Sequence, residues 1–434
     1  MADPTLAEIR LWGRRVGAVA EDEDGVITFE YDPGFIGTGL QISPVHLPLS
    51  VRGPVQFPEL RRLEAFGGLP GVLADSLPDR FGNAVIRRYF EERGTPGLEM
   101  SPVQKLLYIG NRAMGALEFR PALEASHRGN EVPLEVSDLV SQARHVVEGR
   151  TDVAVPEIIR VGSSAGGMRP KALVLWDECT GVFRSGHARP RASETQWILK
   201  FDGVSPVSSP EYPGEVRVDQ TPLPYMKIEH CYTRMARLAG IDAVETRLLQ
   251  ERGYSHLLIR RFDRSGPHRI HQHTLGGLQH IDFNQPGAYS YEGYLRTILR
   301  LNLGYPALEE GFRRVVFNIA SANQDDHVKN LSFLLEESGQ WRLSPAYDLT
   351  FAMGEGFTRR HQMSVGGKRD GITAKDLMAM ARKFGIDDDG REAIEAVGSA
   401  LGRWEELAGS VGVDERRRTA IDSVLRGRGF FPPH

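Results

Sequence analysis

A chain of 434 residues with 41% hydrophobic and 25% charged residues has enough apolar material for two or three packed domains, and its composition is neither disordered nor fibrous in character. The formal net charge of −4 gives no global drive toward nucleic acid, and only Cys179 and Cys231 occur, too few for a disulfide framework or a cysteine zinc cluster. No stretch approaches the ~18 uninterrupted apolar residues of a spanning helix, and the start carries acids with no apolar leader core, so a cytoplasmic location without membrane attachment is expected.

Residues 9–12, 13–19 and 26–31 read as a β meander broken by glycine and acidic turns. Residues 78–90 place apolar side chains at helical spacing behind a Pro-Asp start, and residues 101–108 begin another helix with Pro102 at its first position. Residues 158–161 (Ile-Ile-Arg-Val) read as a strand running into Gly162, Ser163, Ser164, Ala165, Gly166 and Gly167, and residues 172–176 as the returning strand, so this glycine-rich loop is expected to cap a hairpin. Such a loop brings backbone N–H groups close to phosphate oxygens; being neither a Walker loop nor G-x-G-x-x-G, it is weak evidence alone. Residues 195–201 alternate as a strand and put Lys200 at its end, where an ammonium could reach α/β-phosphates; a surface lysine is the competing reading.

Residues 181–193 and 204–224 are rich in Gly, Pro, Ser and charge and read as loops. A helix over 226–240, ended by Gly240, carries Glu229 as a partner for Lys200. Residues 257–264 form an apolar run ending in charge that suits a hinge, with Asp263 placed to take ribose hydroxyls. Helices are then expected over 289–301, 308–321, 375–384, 391–407 and 414–426, and the arginines at 416–418, 426 and 428 read as a solvated helix face.

Two segments carry the chemistry. Asp325-Asp326-His327-Val328-Lys329-Asn330 and Ser344-Pro345-Ala346-Tyr347-Asp348-Leu349 supply an Asp, an Asn five residues later, and a second Asp beyond two strand-like runs around Gly339. Phosphoryl transfer uses that set: one Asp orients the attacking hydroxyl, and an Asn and a second Asp hold metal against the ATP phosphates. Asp325, Asn330 and Asp348 fit these roles, and the intervening hairpin would bring Asp348 beside Asn330. His327 is a candidate for orienting its neighbours, and Lys329 for either the γ-phosphate or solvent.

The order of these pieces resembles the HipA-type serine/threonine kinases, the toxin halves of bacterial toxin–antitoxin pairs. The likeness rests on Leu77-Pro78-Asp79, residues 110–117, the Gly162 loop, Lys200, Arg261-Phe262-Asp263-Arg264 and the two catalytic segments. It implies an α+β, bilobal protein-kinase-like fold: a mixed β/α N-terminal subdomain (1–125), a kinase N-lobe with phosphate loop and hinge (126–264) and a helical C-lobe (265–434). The resemblance further implies ATP and Mg²⁺ as cofactors, Lys200 on phosphates, Arg260, Phe262 and Asp263 around adenine and ribose, and Asn330 and Asp348 on metal. Ser163, or Ser164 beside it, matches the family's self-inactivating phosphorylation site. An aminoacyl-tRNA synthetase is the implied substrate and a HipB-like helix-turn-helix antitoxin the implied partner, with DNA reached only through that partner. After the loop glycines Met168-Arg169-Pro170-Lys171 departs from the common pattern, which puts phosphate contact by Lys171 in doubt. A small-molecule or lipid kinase, and a catalytically silent antitoxin- or operator-complex-binding protein, are the alternatives.

Overall fold

The computed structural model describes residues 5–95, 97, 99–122, 131–151, 153–161, 169–208 and 216–431. The fold is α+β, in two units: residues 1–226 with 246–272, and residues 227–245 with 273–434.

In the first unit β1 (Thr5–Leu11), β2 (Arg14–Glu21), β3 (Ile27–Tyr31) and β4 (Val55–Gln56) form the expected antiparallel meander. Alternation along β1 buries Ala7, Ile9 and Leu11 on one face. A Cβ at Gly17 would sit 2.1 Å from the Glu30 carbonyl oxygen, so glycine is required where β2 meets β3. Helix α1 (Arg80–Glu92) starts at Asp79, whose carboxylate accepts from the Gly82 N–H at 2.6 Å. A capping box of Ser101 and Gln104 starts α2 (Pro102–Ile109), and β5 (Leu117–Arg120) closes the sheet beside β1.

After α3 (Val136–Glu148) comes a correction. Residues 158–161 belong to a helix, α4 (Pro156–Val161), so what precedes the glycine-rich segment is not a strand and no hairpin is capped there. The cap of α4 comes from another helix: Gln142 Oε1 of α3 accepts from the N–H groups of Glu157 (2.9 Å) and Ile158 (3.0 Å), while Ile158, Ile159 and Val161 bury into the core with Leu139 and Val140. Gly162, Ser163, Ser164, Gly166 and Gly167 lie outside the described residues.

The second sheet of this unit contains β6 (Lys171–Asp177), β7 (Phe183–Ser185), β8 (Glu194–Lys200), and, after the separate β9 (Ser205–Ser208) and β10 (Val216–Asp219) hairpin, β11 (Thr246–Glu251) and β12 (Tyr254–Arg260). Its order is β11-β12-β8-β6-β7. Both glycine- and proline-rich stretches expected as loops therefore contain short strands. In the first, Arg184 of β7 is wholly buried and donates to both carboxylate oxygens of Glu194 in β8, tethering β7 into the sheet.

On β12, His256 Nδ1 accepts from the Asp202 N–H at 3.0 Å, and burial lowers its pKa to about 4. The folded protein thus stays unprotonated there while the unfolded chain takes up a proton near the ordinary value of 6.5. Between those two values stability falls as pH falls, by up to about 3 kcal/mol from this group. His256→Asn, whose side-chain oxygen can replace Nδ1 as acceptor, is expected to flatten that dependence in urea titrations at pH 7 and 4.5.

The chain enters the second unit within α5 (Tyr225–Leu238) and is mainly helical thereafter: α6 (Tyr291–Arg300), α7 (Tyr305–Ala320), a hairpin of β13 (Ser332–Leu335) and β14 (Trp341–Leu343), α8 (Ala374–Phe384), α9 (Arg391–Leu401), α10 (Trp404–Ser410) and α11 (Glu415–Gly427). The helix expected over 391–407 is two, parted at Gly402. Phe312, Val315, Val316 and Phe317 make α7 the central, buried helix, and Trp404 packs edge-on against Tyr232 with ring centroids 5.7 Å apart. Among the described residues no helix is long and apolar enough to cross a membrane.

Candidate active site

In the second unit the two motif segments meet. The hairpin pairs Phe333 with Leu343 and Leu335 with Trp341, which returns the chain to the Asp325 loop. There the Tyr347 hydroxyl donates to the Lys329 carbonyl at 2.6 Å and lies 2.6 Å from Ser332 Oγ, tying the residue before Asp348 to the residue before Asn330. From the other side, Arg314 of α7, 4% exposed, donates to the Ser344 carbonyl at 2.8 Å, and the Ala346 N–H donates to the Asp242 carbonyl at 2.7 Å. Asp348 itself has φ +57°, a left-handed backbone that Asp and Asn tolerate better than other side chains. A cavity of ≈ 10 Å³, room for one water, is lined by both segments, His327 and Asn330 from one and Tyr347 and Leu349 from the other.

Asn330 donates its side-chain N–H to the Asp325 carbonyl at 2.9 Å, which fixes the amide and directs Oδ1, the atom able to ligate a cation, the opposite way. Asn330 Oδ1 and the Asp348 carboxylate are hard oxygen donors of the kind Mg²⁺ takes, the remaining positions falling to phosphate and water, so the residues present fit that ion. Asp325 points out, with 46% of its side chain exposed. Nε2 of His327 stands 3.9 Å from the Asp325 carboxylate, beyond hydrogen-bond range, and its ring lies 5.4 Å from that of Phe283. Lys329 holds its ammonium 4.7 Å from the centre of the Phe283 ring, a cation–π contact that motif spacing did not reveal. Glu229 is buried on α5, at 5% exposure.

Sequence reasoning missed Asp326, whose carboxylate is fully buried. It accepts from the Tyr291 hydroxyl (2.7 Å), His361 Nδ1 (2.8 Å) and the Gln362 backbone N–H (2.7 Å). The doubled aspartate was the available signal, since two adjacent acids in one loop seldom share a task. His361, which follows two arginines, is 1% exposed.

In the first unit Lys200 ends β8, 8% exposed, with Leu257 opposite it on β12 and Lys171 opposite it on β6. Directly opposed residues of an antiparallel pair share a face, so two ammonium groups lie on one side of the sheet. Lys171 is answered by Asp79, Nζ to Oδ2 3.0 Å, with side chains 2% and 6% exposed. It is therefore bound into the structure by that pair.

Asp263 lies three residues past the end of β12. Its carboxylate is fully buried and takes hydrogen bonds from Arg261 (2.9 and 2.7 Å), Arg264 (2.7 Å) and the Gly115 N–H (2.8 Å), with Gly115 at φ +74°. The two guanidinium groups hold its pKa well below the usual carboxylate range against the opposing effect of burial. With both oxygens accepting these bonds, Asp263 fastens the residue 110–117 turn to the end of β12. Arg260 is exposed and Phe262 half-buried, which leaves both accessible.

The chain matches the HipA N-terminal domain over residues 7–120 and the HipA-like C-terminal domain over residues 163–404. It is similar to two Sinorhizobium fredii proteins, "Putative kinase Y4mE" (25% identical, covering 80% of this chain and 77% of that one) and "Putative kinase Y4dM" (24% identical, 91% of each). Among solved structures it resembles HipA in the Shewanella oneidensis complex of HipA, HipB and operator DNA, with a TM-score of 0.66 at 18% identity over 97% of this chain and 95% of that one. The shared fold, the matched domains at both ends and the paired Asp-Asn and Asp segments place this chain in the HipA-type kinase family.

Proposed function

We propose that this protein is an ATP- and Mg²⁺-dependent serine/threonine protein kinase that phosphorylates a translation-related protein, an aminoacyl-tRNA synthetase being the substrate class, and silences itself by phosphorylating Ser163 or Ser164. The observation that supports this is the Tyr347 bridge, which ties the residue before Asp348 to the residue before Asn330. Asp325 orients the substrate hydroxyl and takes its proton; Asn330 and Asp348 hold Mg²⁺, which neutralises charge developing on the transferred phosphoryl group. Lys200 addresses the phosphates, Arg260 and Phe262 border the adenine, and Glu229 supports the lysine. His327 and Lys329 shape the loop edge. Gly162, Gly166 and Gly167 allow the backbone to approach phosphate, and a dianion on Ser163 or Ser164 would repel it.

A HipB-like antitoxin is the proposed partner, by analogy with the Shewanella complex, with DNA contacted through it. Wild-type protein, first shown unmodified in the loop, and Asp325→Ala are incubated with Mg²⁺ and γ-labelled ATP, and the 162–171 peptide is analysed by mass spectrometry. Label on Ser163 or Ser164 in wild type alone supports a self-limiting kinase. Label in neither removes self-inactivation and favours a small-molecule substrate or a binding role.

A further inference from the structure

The loop carrying Asp325 is held by a buried hydrogen-bonded chain that reaches the last described residues. Asp326 takes its three bonds from two places, Tyr291 at the start of α6 and residues 361–362 beyond Asp348. Tyr291 in turn accepts from Asn318 Nδ2 of α7 at 3.0 Å, and Asn318 Oδ1 accepts from Asn323 at 2.9 Å, closing a ring around the loop. On the far side, Arg428, just past α11, stands 3.3 Å from His361 Nε2. A guanidinium can only donate, so Nε2 is the acceptor and the ring proton sits on Nδ1, facing Asp326. With the Gln324 amide turned to satisfy both neighbours, its oxygen accepts from Arg428 at 3.2 Å and its nitrogen donates to the Thr358 carbonyl at 2.7 Å. The arginine that read as one of a solvated row thus turns inward.

Resting on the kinase reading above, we propose that Asp326 is a positioning residue for phosphoryl transfer, clamping residues 357–362 to the Asp325 loop, with His361 and Arg428 completing the clamp. Asp325 shares a peptide with Asp326, and the clamp holds that peptide in place. A buried anion with three donors keeps one arrangement, because any other leaves an unpaired charge.

The test compares Asp326→Asn, Tyr291→Phe, Arg428→Met and the pair His361→Ala and His361→Asn, using γ-labelled ATP with Mg²⁺ and amide hydrogen exchange of peptides covering 323–331 and 355–365. Asp326→Asn turns an amide N–H toward donors and is expected to lower kcat about 10- to 100-fold with the KM for ATP within about twofold, as misplacement of a reacting group does. Tyr291→Phe and Arg428→Met follow more weakly, and His361→Asn, which keeps a donor toward Asp326, recovers activity lost in His361→Ala. Exchange should quicken in both peptides together. Folded variants with unchanged kcat, or with exchange raised in one peptide only, overturn the clamp. If wild type transfers no phosphoryl group the kinase reading fails, and the exchange of Tyr291→Phe against wild type still decides whether the clamp exists.

Discussion

Asp325→Asn is expected to lose phosphoryl transfer by about 10²- to 10⁴-fold, the range general-base positions command. Its unfolding free energy should change by less than about 0.5 kcal/mol, because the side chain is 46% exposed and water already solvates its charge. The adjacent position makes the contrast: Asp326→Ala leaves the Tyr291 hydroxyl, His361 and the Gln362 N–H without their shared acceptor. Each unmet buried donor costs about 1–3 kcal/mol, so that variant should fail in stability first. Initial rates of label transfer and urea midpoints, taken on both proteins, separate the two behaviours. Equal stability losses at 325 and 326 would mean that Asp325 is structural.

Asp79→Asn should destabilise the protein by about 3–5 kcal/mol, even though asparagine caps a helix as well as aspartate does. The cap bond to the Gly82 N–H can survive, so the loss isolates the ion pair with Lys171. What remains is a lysine 2% exposed that has lost the Asp79 carboxylate, directly opposite Lys200 on the same sheet face. Lys171→Met should also destabilise, by leaving the carboxylate without its cation. The Asp79→Asn/Lys171→Met double variant is expected to recover most of either loss, because an apolar side chain of similar length can fill the lysine's channel. Urea denaturation of the four proteins gives the coupling directly, and additive losses would show that the two side chains act independently.

Much of the fold and part of the site could be read from residue order. The meander, the hairpin behind Asn330 and most C-terminal helices announce themselves because their periodicity, turns and caps are local. The Asp325–Asn330 loop and Asp348 are legible for the same reason: a short hairpin of ordinary register joins them, so spacing alone predicts their approach. Where the reading failed, the deciding partner lies far along the chain. Residues 158–161 look like a strand until Gln142, on another helix, supplies the missing acceptor for α4. The bond that Asp263 accepts from Gly115, 148 positions earlier, is likewise invisible to local spacing. Asp326, His361 and Arg428 sit in irregular backbone where no periodicity marks an inward face, and charge alone suggested solvent.

The chain passes between its two units three times, at residues 226–227, 245–246 and 272–273. During synthesis the first unit therefore cannot finish until a helix of the second has been made. The strand bearing Lys200 is the middle of its sheet only once residues 254–260 arrive on its far side. At ordinary translation speeds of about 5–20 residues per second, the 53 residues in between take roughly 3–11 s, during which that strand is an open edge. An open edge recruits other chains, so a ribosome pausing between codons 201 and 253 would leave a nascent chain primed to aggregate. Truncated transcripts ending there should yield inclusion bodies.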